Sequence, residues 1–580
     1  MQPLTFGPCA GWLHPACGTR GVVLCAAHGF EEFGARRGWR MLADRLAAAG
    51  LPTLRFDYPG AADSLGGEQD PERLAAWRAS IEGAIQALRD RTGVREVYLV
   101  GLRLGALLAA DVAARSGGVS GIALLAPPLS GRAYGRELAA LSALMAPPGT
   151  SAAVPDEPLD GIETAGFVLA RTTLEELKGL DWRKLPAAPA PRVAVMTDDQ
   201  PAAFATALRS LGVEPDLLPF PGRADLVRDP TTSVVPEAAW DALAAWLAKG
   251  AAPAVEGAAV APLAPPALLA GPGWTEELAT FGPSSGLVGV LNHPAGAPAG
   301  GPVLLVLNAG GNSHVGWARQ TVDLCRRLAA RGAASLRMDM LGFGDAAEPS
   351  DDRPRRVYAD QSHADVAAAI DWLKARGYGS VTVAGQCSAA YRAFHSAMAD
   401  PRIDAVVMLN NQIFAWRDGM SLDAAMRDSF RATSFYLSRA GDGATWRRLF
   451  GGDIKAAGIA AELARRGVRS LANRMAQAAK RGESLEQARN PVRRAFGALS
   501  ARGARVLLVY SEDDGGRDEL ARHMGPNGRD AARLPGLSLR IIAGADHNLT
   551  TRRARDAFAR CVEEFLLGSE DALARRSAAR

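Results

Sequence analysis

Three residues in the second half of the chain have the types and the order that nucleophilic catalysis needs. Cys387 stands in GQCSA after the apolar segment VTVA, Asp514 comes shortly after RVLLVY, and His547 comes shortly after LRIIAG. A histidine activates a thiol by taking its proton or by pairing with the thiolate, and a carboxylate fixes the tautomer of that histidine. These residues predict acyl transfer through a covalent thioester on Cys387, with no metal or cofactor.

The surroundings of Cys387 predict a sharp turn from a strand into a helix. Gly385 and Ala389, two residues before and two residues after it, are small, and small residues let the two elements approach closely. The alternative is that Cys387 is one more buried apolar cysteine, because one G-x-C-x-A segment is weak evidence by itself. The order nucleophile, acid, base along the chain favours the catalytic interpretation.

The acid and the substrate contacts have several candidates. Asp514 is the preferred acid, and its neighbour Asp513 stays an open alternative. His314 and Gln386 are the predicted substrate-binding residues. For His314, a role on the surface or in packing is an equally open alternative.

Backbone N–H groups are expected to stabilise the oxyanion that forms during acyl transfer. Ser388 directly follows the nucleophile, and Gly310 and Gly311 lie in the loop NAGGNSH after an apolar strand. Glycines let amide groups come close to a substrate oxygen. We therefore predict an oxyanion hole made by Ser388 and this loop.

An earlier segment has the same pattern without the means for catalysis. GLRLG places Arg103 where a nucleophile would stand, and arginine stays protonated. Asp198 or Asp199 occupies the acid position, but Asp225 aligns with His547, so the base is missing. Two roles remain open for Arg103: a buried ion pair with Asp225 and Asp199, which we favour, or contact with an anionic ligand.

These two patterns belong to a long internal repeat. The segment LRFDYPGAADSLG (54–66) matches LRMDMLGFGDAAE (336–348) at an offset of 282, and VYLVGLRLGALLAA (97–110) matches VTVAGQCSAAYRAF (381–394) at an offset of 284. An offset that changes by so little over this distance predicts tandem domains rather than a solenoid. In each repeat, strands alternate with helices, which predicts a mostly parallel sheet covered on both faces.

The repeat divides the chain into two predicted domains. We expect a degenerate first copy at 1–250, an Ala/Pro-rich linker at 251–273 and a catalytic second copy at 274–580, which opens with a hairpin. A helical cap at about 411–500 is expected to cover the second site and set its specificity. Its arginines suggest an anionic acyl substrate, such as a CoA or carrier-protein thioester, although solvated helix faces explain them equally well.

Composition excludes several classes of protein. Lys+Arg is 66 against Asp+Glu 62, and this balance argues against nucleic acid as a main partner. No long charge-free apolar stretch predicts a membrane span, and the first residues do not resemble a secretory leader. Six cysteines in 580 residues do not form a disulfide framework, so we expect a cytoplasmic protein, of oligomeric state that the sequence leaves open.

The segments of the first copy resemble a known family. HGFEEFGARRGWRMLADRLAAAGLPTLRFDYPGAADSLG and GLRLGALLA are similar to exosortase A system-associated hydrolases, over most of residues 20–130. These are relatives of the serine aminopeptidase and lysophospholipase branch of the α/β-hydrolase superfamily. The resemblance implies two tandem α/β-hydrolase domains, each with a helical cap.

The second copy resembles companion hydrolases with a G-x-C-x-G turn. The likeness lies in LNAGGNSHVG, LRMDMLGFGD, GQCSAAYRAFHSA, YSEDD and GADHNLT, and the chain departs from that turn at Ala389. Dienelactone hydrolases, polyester synthases and acyl-CoA:amino-acid acyltransferases of this fold also use cysteine. The resemblance implies an ester or thioester hydrolase or an acyltransferase, associated with bacterial exopolysaccharide and protein-sorting loci.

A different class of function competes with catalysis. Both copies could be degenerate, so that the chain is a scaffold or a ligand-binding protein. The preserved order of Cys387, Asp514 and His547 favours the enzyme, because a fully decayed copy has no reason to keep it. Metal catalysis is disfavoured, since no cluster of metal-ligand spacing occurs.

Overall fold

The computed structural model describes residues 1–145, 160–252, 266–349, 358, 363–416 and 490–568. In the first copy, it contains these strands: β1 (Gln2–Phe6), β2 (Cys9–His14), β3 (Arg20–Cys25), β4 (Thr53–Phe56), β5 (Glu96–Leu102), β6 (Gly121–Leu125), β7 (Gly161–Thr164), β8 (Phe167–Ala170), β9 (Val193–Met196) and β10 (Asp216–Leu218). The helices of this copy are α1 (Phe30–Ala48), α2 (Arg73–Thr92), α3 (Leu104–Ser116), α4 (Gly131–Met145), α5 (Arg171–Leu177), α6 (Pro201–Ser210), α7 (Arg223–Leu226) and α8 (Glu237–Ala248).

Eight of these strands form one sheet in the order β1-β2-β4-β3-β5-β6-β9-β10. From β4 to β10 neighbouring strands are parallel, whereas β1 and β2 are antiparallel to their neighbours. Strands β3 and β6 are buried along their whole length, and their sequences are continuously apolar at the centre. This is the pattern of parallel strands covered by helices on both faces, as predicted.

The second copy contains strands β11 (Ala267–Gly271), β12 (Trp274–Phe281), β13 (Leu287–Pro294), β14 (Gly301–Leu307), β15 (Ala334–Asp339), β16 (Tyr378–Gln386), β17 (Ile403–Leu409), β18 (Arg505–Ser511) and β19 (Leu537–Ile542). Its helices are α9 (Gln320–Ala330), α10 (His363–Ala375), α11 (Ser388–Ala399), α12 (Pro491–Ala501), α13 (Gly516–Met524) and α14 (Arg552–Leu567). None of the helices in the described parts of the chain is long and apolar enough to cross a membrane.

The described chain forms two compact units. The larger unit comprises Met1–Val357, Ala364–Gly379 and Asn548–Arg580, and the smaller unit comprises Tyr358–His363 and Ser380–His547. Within the larger unit, the second copy contributes neighbouring strands in the order β11-β12-β13-β15-β14. Within the smaller unit, β16, β17, β18 and β19 are consecutive parallel neighbours, so their C-terminal ends lie at one edge.

The structure corrects the predicted linker and describes the two ends of the predicted second cap. Strand β11 lies inside the predicted linker 251–273, because its apolar residues pair with β12; the linker prediction extends too far. The predicted hairpin is confirmed by the antiparallel pair β12 and β13. Of the predicted cap at 411–500, residues 417–489 lie outside the described residues. The insertion of the first copy contains the antiparallel hairpin β7–β8 as well as helices.

Candidate active site

Cys387 lies at a sharp turn between β16 and α11. Its backbone has φ 54° and ψ −117°, a conformation that is strained for a residue with a side chain. A Cβ atom at Gly385 would lie 2.3 Å from the Ala389 carbonyl carbon, so only glycine fits before the turn. This turn separates the Cys387 side chain from both elements and leaves it partly exposed.

The first copy keeps the same turn around an arginine. Arg103, between β5 and α3, has φ 53° and ψ −117°, and a Cβ atom at Gly101 would lie 2.4 Å from the Cα atom of Ala106. The Arg103 N–H donates to the Leu125 carbonyl at 2.9 Å, as the Cys387 N–H donates to that of Leu409 at 2.8 Å. The geometry of the turn is therefore retained where its nucleophile is absent.

Asp514 and His547 come together beside this turn in the smaller unit. The distance from His547 Nδ1 to Asp514 Oδ2 is 2.6 Å. The other carboxylate oxygen of Asp514 accepts hydrogen bonds from the Gln412 amide at 2.6 Å and from the Gly516 N–H at 2.8 Å. Asp514 is buried and its neighbour Asp513 is exposed, so the contact with the histidine belongs to Asp514.

The electrostatics around His547 favour its protonated form. Burial lowers the pKa of His547, but the nearby Cys387 and the hydrogen bond to Asp514 outweigh burial and raise the pKa well above its ordinary value. The thiol of Cys387 lies within hydrogen-bonding reach of the imidazole. A histidine that holds its proton between a thiol and a carboxylate is the arrangement that activates cysteine nucleophiles.

Two side-chain amides hold the loop that carries His547. Gln386 Nε2 donates to the His547 carbonyl at 2.6 Å, and Asn410 Nδ2 donates to the same oxygen at 2.9 Å. Asn410 also bonds the backbone and hydroxyl of Ser511 at the end of β18. We predicted that Gln386 binds substrate; in the structure its amide fixes the position of the base.

The residues predicted to form the oxyanion hole lie in different settings. Ser388 is the first residue of α11, and its side chain is fully buried. Gly310 and Gly311 belong to the larger unit, where the Gly311 N–H donates to Thr231 Oγ1 at 3.2 Å. A Cβ atom at Gly310 would lie 2.8 Å from the same hydroxyl oxygen, which gives a packing reason for glycine there.

Arg103 forms an ion pair in the first copy, but not with the predicted partners. Its guanidinium donates to Glu31 at 2.7 Å, to Glu137 at 2.5 Å and to the Ala126 carbonyl at 3.2 Å. Asp199 and Asp225 instead pair with nearby arginines. The prediction of an Arg103 pair with these two aspartates is wrong. Asp225 lies on the surface in α7, and Glu31 of α1 and Glu137 of α4 pair with the guanidinium instead.

The side chain of His314 is completely buried, so it is not a surface contact for substrate. Its Nδ1 lies 2.7 Å from Asp339 and its Nε2 lies 2.8 Å from Asp63 of the first copy. Burial lowers the pKa of His314, but the charges of Asp63 and Asp339 raise the pKa to about 10. Both ring nitrogens are therefore occupied by carboxylates, which does not fit the predicted substrate contact.

His314 belongs to a set of buried charges that joins the two copies. We call this set the charge network; its members are Arg36, Arg55, Asp57, Asp63, His314, Arg337, Asp339 and Asp345. With His314 protonated, the set contains four cations and four aspartates, and Arg337 also lies 2.8 Å from the buried Glu276 of the second copy. Every one of these side chains is at least nine-tenths buried, and Asp57, with 10% of its side chain exposed, is the most accessible.

The charge network has approximate twofold symmetry that follows the sequence repeat. Arg55 of the first copy pairs with Asp345 of the second at 2.7 Å, and Arg337 of the second pairs with Asp63 of the first at 3.3 Å. Arg36 lies 2.9 Å from the other carboxylate oxygen of Asp345. Arg55 and Arg337 of the repeated LR-x-D segment therefore each lie beside the aspartate six residues after that segment's own aspartate in the other copy, Asp345 and Asp63 respectively.

The sequence contained a pattern that could have revealed this network. The arginine and aspartates of the repeated segment recur at one offset in both copies, including the copy that lacks a nucleophile and a base. Residues needed only for catalysis would have no reason to persist in that copy. The repeated pattern therefore points to a structural contact.

His314, Asp339 and Asp345 also approach the spacing of a metal site in the described part of the chain. However, the two ring nitrogens of His314 already contact carboxylates, and Asp345 is paired with Arg36 and Arg55. A cation would have to displace these charges. The arrangement fits an ionic contact between the copies better than a metal site.

Comparisons with known proteins agree with this architecture. The family described as "Serine aminopeptidase, S33" matches residues 19–160, and the family described as "alpha/beta hydrolase fold" matches residues 302–515. Both halves have the α/β-hydrolase fold. No curated protein matches the chain.

Solved structures similar to the chain include an alpha/beta hydrolase from Sphaerobacter thermophilus (18% identity, 50% of this chain and 99% of that chain, TM-score 0.28). An esterase from Pyrococcus furiosus is 13% identical over 51% of this chain and 90% of that chain, with a TM-score of 0.30. A haloalkane dehalogenase loop variant from Bradyrhizobium elkanii is 17% identical over 52% of this chain and 99% of that chain, with a TM-score of 0.30.

Proposed function

We propose that the second copy is a hydrolase that cleaves an ester or thioester through an acyl intermediate on Cys387. The observation that carries this proposal is the contact of 2.6 Å between His547 Nδ1 and Asp514 Oδ2 beside the strained turn of Cys387. The two matches to hydrolase families support hydrolytic chemistry. The cysteine nucleophile and the acyl substrate, a small molecule or a carrier-bound group, are parts of the proposal.

The reaction proceeds in two steps in this proposal. The sulfur of Cys387 attacks the acyl carbon, and the carbon–oxygen or carbon–sulfur bond to the leaving group breaks while His547 gives that group a proton. Water, or another acceptor, then attacks the acyl carbon of the thioester as His547 takes up the proton of the attacking group. The bond from that carbon to the Cys387 sulfur breaks, which restores the thiolate and releases the acid or the acylated product. Asp514 stabilises the imidazolium in both steps and keeps Nε2 directed at the reacting atoms.

The first copy has a non-catalytic role in this proposal. Its turn carries Arg103 paired with Glu31 and Glu137, and Asp225 stands in the sequence where the second copy has the base His547. What the copy contributes is part of the charge network, with Asp63 placed beside Arg337 and His314 of the second copy. The first copy therefore acts as a structural subunit that is covalently attached to the enzyme.

Hydrolysis of p-nitrophenyl acetate and p-nitrophenyl butyrate by purified full-length protein tests the proposal. Cys387→Ala should reduce turnover to the uncatalysed background, whereas Ser388→Ala tests whether the neighbouring residue is the nucleophile. Cys17→Ala is the matched control, because Cys17 is an exposed cysteine of the first copy. Full turnover in Cys387→Ala would refute the proposal, and absence of hydrolysis and of selective Cys387 alkylation in the wild type would favour a scaffold.

A further inference from the structure

Tyr358 is a buried residue of the smaller unit that stands beside the candidate nucleophile. Its side chain is 3% exposed, and its hydroxyl lies within hydrogen-bonding reach of the Cys387 thiol. Neither the repeat nor the order of nucleophile, acid and base points to this residue. This position is compatible with two roles: the hydroxyl takes part in the reaction, or the side chain only packs in the interior.

Two aromatic rings fix the orientation of this phenol. The Tyr358 ring stacks on Trp416 with ring centroids 5.0 Å apart and planes 8° apart. It also meets the edge of Tyr391 at 5.2 Å with an angle of 85°. Because Tyr391 lies four residues after Cys387, one turn along α11, the ring is held against the helix that begins at the nucleophile.

The hydroxyl is kept in the form that donates a hydrogen bond. Burial and the adjacent Cys387 raise the pKa of Tyr358 well above its ordinary value, although Arg392 acts in the opposite direction. A phenol that stays protonated can donate a hydrogen bond to an anionic sulfur and does not release its proton at neutral pH. The charged and titratable groups facing this pair are Arg392 and Tyr391 on α11, and His547 with its partner Asp514.

We propose that Tyr358 is a positioning residue that donates a hydrogen bond to the thiolate of Cys387, in addition to the one that His547 donates. This inference rests on the proposed function. Two donors would hold the sulfur in one place and favour its anionic form before substrate arrives. No proton leaves Tyr358 during the reaction: the sulfur forms its bond to the acyl carbon, and its hydrogen bond to the phenol weakens as its negative charge passes to the substrate oxygen.

The pH dependence of Cys387 alkylation by iodoacetamide tests this role in the full-length protein. Tyr358→Phe keeps the ring that stacks on Trp416 and removes only the donor. A hydrogen bond to a charged group has a strength that corresponds to about 1–2 pH units. The midpoint of the alkylation rate should therefore move upwards by about 1–2 pH units in Tyr358→Phe, and kcat for p-nitrophenyl acetate at neutral pH should fall by about 10-fold or more.

A matched variant and the wild type separate the possible failures. Tyr378→Phe removes another buried tyrosine hydroxyl at the start of β16 and should leave the midpoint unchanged. An unchanged midpoint in Tyr358→Phe, with selective alkylation of Cys387 in the wild type, would overturn the role of Tyr358 and leave the proposed function standing. Wild-type Cys387 that reacts no faster than exposed Cys17 at neutral pH would overturn both.

Discussion

Asp63→Asn should destabilise the protein strongly, although Asp63 lies in the non-catalytic copy. The carboxylate is completely buried and lies 2.8 Å from His314 Nε2, 3.3 Å from Arg337 Nη1 and 3.6 Å from Arg36 Nη2. Asparagine has nearly the same shape but no charge, so the change leaves the cations of the second copy under-compensated inside the protein. Removing one partner of a buried ion pair typically costs about 3–5 kcal/mol.

This loss translates into a large change in melting temperature. A loss of 1 kcal/mol lowers the melting temperature of a domain of about 150–250 residues by roughly 2–4 °C. Asp63→Asn should therefore lower the first melting transition by about 6–20 °C in differential scanning calorimetry at pH 7. Asp345→Asn should have a similar effect, because Asp345 occupies the equivalent position and pairs with Arg55 and Arg36.

A surface aspartate provides the control for this measurement. The Asp241 side chain is 72% exposed and lies 3.3 Å from Arg45, so Asp241→Asn should cost about 0–1 kcal/mol. The double variant Asp63→Asn/His314→Gln should lose less stability than the sum of the single variants, because the second change removes a cation that the first left unpaired. A melting temperature of Asp63→Asn equal to that of Asp241→Asn would refute the structural role of the charge network.

Three further predictions follow from the hydrogen bonds and charges of the two sites. The pKa of His314 in the folded protein, about 10, is above its ordinary value of 6.5. The stability that this histidine contributes to the protein is therefore complete below about pH 6.5 and is lost as the pH rises through about 10. The melting temperature of His314→Gln should fall less at alkaline pH than that of the wild type. Gln386→Leu should lower kcat by about 10–100-fold with little change in KM, since it displaces the base; a rise in KM alone would restore a substrate-binding role. Asp514→Asn should lower kcat on the order of 10⁴-fold, and the alkaline limb of the pH profile should move to lower pH because Asp514 raises the pKa of His547; an unmoved limb would contradict this electrostatic role.

Much of the fold could be predicted from local patterns and from the repeat. The short apolar segments predict strands within a few residues of their observed positions; for example, RVLLVY (505–510) lies in β18 (Arg505–Ser511). The linker was overextended because the Ala/Pro-rich composition continues into β11, where pairing with β12 overrides it. Local composition does not determine which residues pair with a neighbouring strand.

For the candidate site too, some residues could be predicted from local patterns, whereas the contacts of others depend on distant segments of the chain. The order of residues along the chain is enough to select Asp514 and His547, whose side chains the fold brings to 2.6 Å. The partners of Gln386, Arg103 and His314 depend on contacts between segments that are distant in the sequence. A single sequence does not show which distant segments meet in the fold. For this reason the sequence predicts that these polar and charged residues bind substrate or pair with each other. In the structure they instead stabilise loops and the junction of the copies.

Trapping of the acyl group that Cys387 receives from the substrate tests the proposed reaction most directly. Full-length protein is mixed with p-nitrophenyl acetate, quenched in acid during the burst phase, digested and analysed by peptide mass spectrometry. We predict an acetyl group on the peptide that contains Cys387, removable by neutral hydroxylamine as expected for a thioester, and absent in Cys387→Ala. An acetyl group on Ser388, or wild-type hydrolysis that proceeds with equal speed in Cys387→Ala, would contradict the account.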